Sequence, residues 1–479
     1  MLLERIETPG LSHYSYLVGC EGAGEVVVVD PRRDIDIYMR QAADLGVRIT
    51  HIVETHIHAD FASGAQALAA ATGAPLMVSR FDADETYEVE HAHTDLDDGD
   101  VIDVGMVRLQ ALHTPGHTPE HMSYLVFDRA RSETSPVAMF TGDCLFVGAA
   151  GRPDLLGEAS AAPLASELYD SLRARIAGTP DHVEIYPAHG AGSMCGAGMS
   201  GRPMSTLGYE RLANPYFQER SREAFIEWAL ANVPPFPPYY KRMKSLNSIG
   251  AVDATPILSR ATAGALSPVE AKTIAEHGGV ILDVRSPGEH AAGHPLGAIS
   301  VGIADSFSVW AAWVVPEGVD VVLLVGDGSA VVSLAAVGLV RVGLDNIRGY
   351  IAGGFTAWTA AGLDIDETPE IAPVEARRLA DEGACALLDV RSDGEWISGR
   401  APDALHIHAG FVGDHVEDIV RLGKPVATIC EAGYRAMVAA SVLKRNGVSD
   451  VRVVEAGMQG WRLHDLPQET GESSPVSTG

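Results

Sequence analysis

The chain has 479 residues, 46% of them hydrophobic, which is ample for two to four globular domains and excludes a fibrous or disordered chain. Its 35 Lys and Arg against 64 Asp and Glu leave a net charge of -29, a field that repels phosphate backbones and anionic lipid surfaces, so nucleic acid and membrane are excluded as partners. Five cysteines (Cys20, Cys144, Cys195, Cys385, Cys430) are few, odd in number and scattered, so no disulfide framework is expected and a reducing cytoplasm fits best.

Glu4, Arg5 and Glu7 stand where a signal peptide would need an apolar core. Tyr14 to Val18 and Val26 to Val29 read as a hairpin, and Ile35, Tyr38, Met39, Ala42 and Leu45 then recur at helical spacing. Ile49, Ile52 and Val53 predict a buried strand that ends at Thr55-His56-Ile57-His58-Ala59-Asp60-Phe61. Two histidines and a carboxylate on a loop leaving a strand can face one cleft, and imidazole with carboxylate suits zinc or iron. Ala62 to Thr72 is an expected helix stopped by Gly73. Pro75 to Val78, Val101 to Val104, Val107 to Leu112, Tyr124 to Phe127 and Val137 to Phe140 are expected strands, mostly antiparallel, with Leu164 to Ile176 as a covering helix. Three further clusters follow apolar runs: His113-Thr114-Pro115-Gly116-His117-Thr118-Pro119-Glu120-His121, Thr141-Gly142-Asp143-Cys144, and Pro187-Ala188-His189-Gly190. Glu219 to Asn232 reads as a helix, and Pro234-Pro235-Phe236-Pro237-Pro238 breaks the pattern before a short segment, Tyr239 to Leu246, which is expected to wrap the first domain. Ala251 to Ala265 is the expected linker.

In this order, the four histidine and aspartate clusters resemble the metallo-β-lactamase superfamily, an αβ/βα sandwich with metals at its strand ends. Members that hydrolyse esters and thioesters, the glyoxalase II type among them, bind two metals and carry a histidine directly after the first motif's aspartate. Here that position is Phe61, which has no ligand atom. What remains resembles the persulfide dioxygenase branch, and matching motif to motif implies one Fe(II) held by His56, His117 and Asp143, with zinc as the alternative. The resemblance leaves His58, Asp60 and His189 to orient those ligands by hydrogen bonds. Arg152, in Gly151-Arg152-Pro153-Asp154, is the nearest candidate for a substrate carboxylate, with a structural Arg152–Asp154 pair an equal alternative. Cys195 lies close in sequence to His189 and is either a substrate contact or a small residue packed in a glycine-rich loop.

Beyond the linker the chain repeats itself. Ile281-Leu282-Asp283-Val284-Arg285-Ser286 recurs as Leu387-Leu388-Asp389-Val390-Arg391-Ser392, offset by 106 residues. Pro268-Val269-Glu270 and Pro373-Val374-Glu375 start a helix before each copy, and glycine-then-tryptophan turns ending at Trp358 and Trp461 close them. The run from Gly328 to Val340 is 13 residues, short of the ~18 a membrane span needs. Gln468 to Gly479 is expected to fray. Both copies resemble the rhodanese sulfurtransferases. The second carries Cys430-Glu431-Ala432-Gly433-Tyr434-Arg435 between a strand and a helix, where backbone N–H groups favour a thiolate or persulfide and Arg435 closes the loop. Glu431 departs from the neutral or basic residue that would attract an anion. The first copy has Val325-Gly326-Asp327-Gly328-Ser329 there, with no thiol, and Ser329 has no identifiable base.

The expected architecture is therefore α/β throughout: a metal domain at 1–250, an inactive rhodanese-like domain at 266–365 and a catalytic one at 371–468. The expected activity is oxidation of a small thiol persulfide by O2 to sulfite and thiol, with Cys430 moving sulfur among persulfide, sulfite and thiosulfate. A zinc thioesterase with an appended sulfurtransferase is the alternative. The thiol carrier and the oligomeric state, a homo-oligomer included, stay open.

Overall fold

A computed structural model describes residues 1–83, 85–326 and 329–471. It contains two compact units, Met1–Thr255 with Val340–Gly343, and Pro256–Leu339 with the chain from Leu344 onward. Among the described residues no helix is long and apolar enough to cross a membrane.

The first unit is built on two six-stranded sheets. One contains β1 (Leu2–Thr8), β2 (His13–Cys20), β3 (Glu25–Val29), β4 (Arg48–Val53), β5 (Leu76–Ser79) and β6 (Thr94–Leu96), in that spatial order. The other contains β7 (Val101–Val104), β8 (Val107–His113), β9 (Met122–Asp128), β10 (Ala138–Gly142), β11 (Glu184–Pro187) and β12 (Ser205–Thr206). Strands joined by short turns pair antiparallel, as expected for β7 to β10. β3 to β6 instead run parallel: helices Asp36–Leu45 and Ala65–Thr72 carry the chain back between β3, β4 and β5, and a longer connection does so before β6. β1 was not among the expected strands, since this edge strand buries only Ile6 and Thr8 and so lacks a clear apolar alternation.

Four consecutive valines of β3, Val26 to Val29, are fully buried because both faces of the sheet are covered. Val27 and Val29 join Tyr16, Tyr124 and Phe140 in the core between the sheets. Val26 and Val28 face Tyr38, Ala42 and Leu68 of the outer helices. The covering helix of the second sheet runs Glu158–Asp170 and continues as a wider turn over Ser171–Arg175. The segment at 239 is a full helix, Tyr239–Ile249. The expected linker holds helix Thr255–Ala263, begun where the Asp253 carboxylate accepts hydrogen bonds from the Thr255 amide and hydroxyl.

In the second unit the repeat appears as two sheets of identical order. The first copy pairs β13 (Ala265–Leu266), β18 (Ile347–Ile351), β17 (Val321–Leu324), β14 (Val280–Asp283) and β16 (Ile299–Ser300), with β15 (His294–Pro295) and β19 (Ile365–Asp366) as a separate pair. The second pairs β20 (Glu370–Ile371), β24 (Val451–Val454), β23 (Val426–Ile429), β21 (Ala386–Asp389) and β22 (Leu405–His406). The Asp-Val-Arg motif is a buried pin in both copies. Arg285 binds Asp283 at 2.8 Å and the Gly293 carbonyl at 2.9 Å, and Arg391 binds Asp389 at 2.6 Å and the Gly399 carbonyl at 2.7 Å. The glycine-tryptophan turns are the helices Gly354–Ala360 and Gly457–Leu463, each anchored by its indole N–H on a carbonyl six residues on. In the first copy's loop, Asp327, Gly328 and the Ser329 side chain lie outside the described residues, as does most of the expected frayed tail.

Candidate metal centre and thiol loop

β8, β10 and β11 point the same way, so His117, Asp143 and His189 leave one edge of their sheet, where the loop after β4 brings His56 from the other sheet. Ligand atoms of His56, His117 and Asp143 all lie within 4.8 Å of one another, and all three residues are buried. The Asp143 Oδ2 atom is 3.3 Å from His117 Nε2 and 3.8 Å from His56 Nε2. The tautomers follow from the opposite ring atoms. His117 Nδ1 is 2.9 Å from the Arg152 carbonyl, which only accepts, so that nitrogen carries the proton and Nε2 presents a lone pair. His56 Nδ1 is 2.9 Å from the Thr55 hydroxyl, whose own proton goes to Asp30 Oδ2. Burial, then neighbouring positive groups, hold both imidazoles well below the usual histidine range, so both are neutral. His56 Nε2, His117 Nε2 and Asp143 Oδ2 are thus left buried with no hydrogen-bond partner. A divalent cation fits this set of bare lone pairs, and three protein ligands leave coordination positions open.

His189 sits between two carboxylates, with Nδ1 2.7 Å from Asp143 Oδ1 and Nε2 2.8 Å from Asp60 Oδ2. Burial opposes its charging, but Asp143 and Asp60 outweigh burial and raise it well above the usual range. His58 Nε2 lies 3.2 Å from Asp30 Oδ1. His58, Asp60 and His189 form a second buried group with ligand atoms within 4.8 Å, in which His189 Nδ1 is already engaged by Asp143 Oδ1. Phe61 fills the neighbouring space, its ring centroid 4.5 Å from that of His58 and 3.9 Å from that of His13.

The Arg152 side chain is turned to the protein. Nε and Nη2 bind Asp154 at 2.6 and 2.8 Å, and Nη1 reaches the Met194 and Pro235 carbonyls. The Arg152–Asp154 pair is thus formed, and each guanidinium nitrogen has a partner within the protein. Cys195 is fully buried, and its sulfur lies within 4.8 Å of ligand atoms of Asp143 and His189. It is 3.7 Å from the Tyr240 hydroxyl, and burial holds its thiol well above the usual range.

Several residues that shape this centre were given no role from the sequence. His121 Nε2 accepts the Asp143 and Cys144 amides at 2.9 and 3.2 Å and so fixes where the Asp143 carboxylate begins. Gly142, at φ 49°, allows this approach, since a Cβ there would stand 2.4 Å from His121 Nε2. Glu120, Lys244 and Asn247 grip the loop that bears His56 and His58. Glu120 and His121 lay inside a quoted motif. Lys244 and Asn247 are more than 180 residues from the loop, beyond any local pattern.

In the second unit Cys430 follows β23 and precedes helix Tyr434–Arg445. It is buried, and the Gly433 amide donates to its sulfur at 3.1 Å. Arg435 does not reach over the loop freely, because its two terminal nitrogens each bind Glu395 at 2.6 Å. Glu431 is neutralised locally by Arg462, with Arg391 3.8 Å away. The first repeat meets this loop directly: the Tyr434 hydroxyl donates to the Gly302 carbonyl at 2.8 Å, and Trp310 and Trp313 pack on His408 at 5.8 and 5.2 Å between ring centroids.

Comparison with known proteins places the stretches that carry these residues in families. The Metallo-beta-lactamase superfamily matches residues 8–189, and the Rhodanese-like domain matches residues 267–361 and 372–464. The mitochondrial persulfide dioxygenase of Bos taurus is 30% identical over 221 residues, 45% of this chain and 75% of that protein. A hydroxyacylglutathione hydrolase from a Polaromonas species is 35% identical over 191 residues, 40% of this chain and 66% of its own length. A crystal structure described as a metallo-beta-lactamase from Staphylococcus aureus is 33% identical with a TM-score of 0.64, covering 74% of this chain and 99% of its own. The chain belongs to the metallo-beta-lactamase superfamily, with persulfide dioxygenases among its relatives and two rhodanese-like domains following its metal-site domain.

Proposed function

We propose that this protein is an iron-dependent persulfide dioxygenase joined to a sulfurtransferase. The observation that carries the reading is the trio of bare, buried ligand atoms on His56, His117 and Asp143. Fe(II) held there would supply open positions for O2 and a substrate sulfur, the chemistry of a facial triad. The protein's own part is to keep both imidazoles neutral by burial, to aim their Nε2 lone pairs through the Arg152 carbonyl and Thr55, and to turn Asp143 with His189 and His121. The balanced reaction takes a thiol persulfide, O2 and water to thiol, sulfite and two protons. Cys430 then exchanges sulfur: its persulfide and sulfite give thiosulfate and the free thiolate, or the reverse. The Gly433 amide supports that anion, and the neutralised Glu431 lessens the repulsion of a sulfur anion.

A zinc hydrolase is the second reading, favoured by the group of His58, Asp60 and His189 and by the hydroxyacylglutathione hydrolase relatives. Phe61 beside His58, where the two-metal members carry a histidine, weighs against a second metal. Metal content of the chain purified without oxygen, followed by O2 uptake on a small thiol persulfide, separates the two. About one iron per chain with O2 uptake supports the dioxygenase, and about two zincs with thioester hydrolysis supports the alternative.

A further inference from the structure

We propose that Lys244, Glu120 and Asn247 are positioning residues that set the geometry of the metal loop from outside the metal motifs; this rests on the reading that His56, His117 and Asp143 hold the metal. The residue between His56 and His58 is Ile57, and both of its peptide groups are held by buried charged side chains. Glu120 Oε1 accepts the Ile57 amide at 2.9 Å, and Lys244 Nζ donates to the Ile57 carbonyl at 3.0 Å. Lys244 and Glu120 are 2% and 5% exposed and 3.7 Å apart, so each compensates the other's charge. Three residues on, the Asn247 amide completes the hold. Its Nδ2 donates to the His58 and Phe61 carbonyls, both at 2.8 Å, and its Oδ1 accepts the Ser63 amide at 2.8 Å.

The grip has a consequence for the metal. The loop leaves its strand with backbone bonds only near its end, at Ala62 and Ser63, so between Ile57 and Phe61 these side chains supply the support the ladder no longer gives. Glu120 belongs to the loop that presents His117, and Lys244 and Asn247 belong to helix Tyr239–Ile249. The brace therefore ties the His56 loop to the His117 loop and to the last helix of the unit. None of the three touches His56 Nε2, His117 Nε2 or Asp143 Oδ2, which have no hydrogen-bond partner, so they act on the ligands through backbone.

The test uses the full chain and Co(II), whose visible spectrum reads ligand geometry without turnover. Lys244→Met keeps the buried stem and removes the donor, and Asn247→Ala removes all three amide contacts. Ser245→Ala, on the exposed side of the same helix, is the control. Lys244→Met and Asn247→Ala are expected to shift the cobalt spectrum and to release metal to a chelator roughly 10- to 100-fold faster than the parent, with Ser245→Ala unchanged. Glu120→Gln keeps an acceptor for the Ile57 amide and should fall between; it carries the measurement if either other variant does not fold. A parent that binds no metal defeats the metal reading itself. A parent that binds metal, with every folded brace variant matching its spectrum and release rate, overturns the brace.

Discussion

His117 can present only a lone pair to the centre, because its other nitrogen faces a carbonyl. His117→Ala is therefore expected to abolish both iron content and O2 uptake, since a three-ligand site has no spare ligand; retained iron in that variant would refute the assignment. Phe61→Leu should keep both, because the ring fills space beside His58 without offering a ligand atom. Arg152→Met should cost on the order of 3 kcal/mol of stability by stranding Asp154, with no change in the KM for persulfide; a raised KM at unchanged stability would return Arg152 to substrate binding. That His56, His117 and Asp143 come together was legible because each cluster follows an apolar strand. The spent guanidinium of Arg152 was not, because its acceptors at Met194 and Pro235 lie 42 and 83 residues away. Arg435 was legible as a loop residue, but its bidentate hold by Glu395 was not.

Helix Phe307–Val314 of the first repeat packs Trp313 so closely on Gly410 that a Cβ at Gly410 would stand 2.1 Å from the ring. Gly410→Ala should thus destabilise the second unit by about 1–3 kcal/mol, read by denaturant melting, whereas no loss would mean the helix shifts freely. His408, under the same indoles, is held down to about 4 by burial and then by Arg435. The unfolded chain takes up that proton at higher pH, so this contribution to stability is full above about 6.5 and is lost as pH falls toward 4. His408→Asn should flatten the stability profile over that window, as monitored by melting against pH. At this scale the repeat was the strongest signal: the offset of 106 residues reappears as two sheets of the same strand order. Parallel pairing of β3 to β6 was missed because crossover connections, two of them helical, decide strand direction there. The role of the thiol-free repeat was also out of reach, since Gly302 meeting Tyr434 is a contact across 132 residues.

The proposed function joins two chemistries in one chain, an iron centre that would make sulfite and a thiol that would accept or give sulfur. Cys430→Ser is expected to end sulfur transfer and leave iron-dependent sulfite formation near the parent rate, so sulfite replaces thiosulfate among the products. Mass spectrometry after a sulfur donor should add about 32 Da at Cys430; that mass on Cys195 instead would move the relay to the metal domain. The most direct measurement of the central claim is metal content and O2 uptake on the same anaerobically purified chain. The account predicts about one iron per chain and one O2 consumed per sulfite formed from a thiol persulfide. Two zincs per chain, with thioester hydrolysis and no O2 uptake after iron loading, would contradict it.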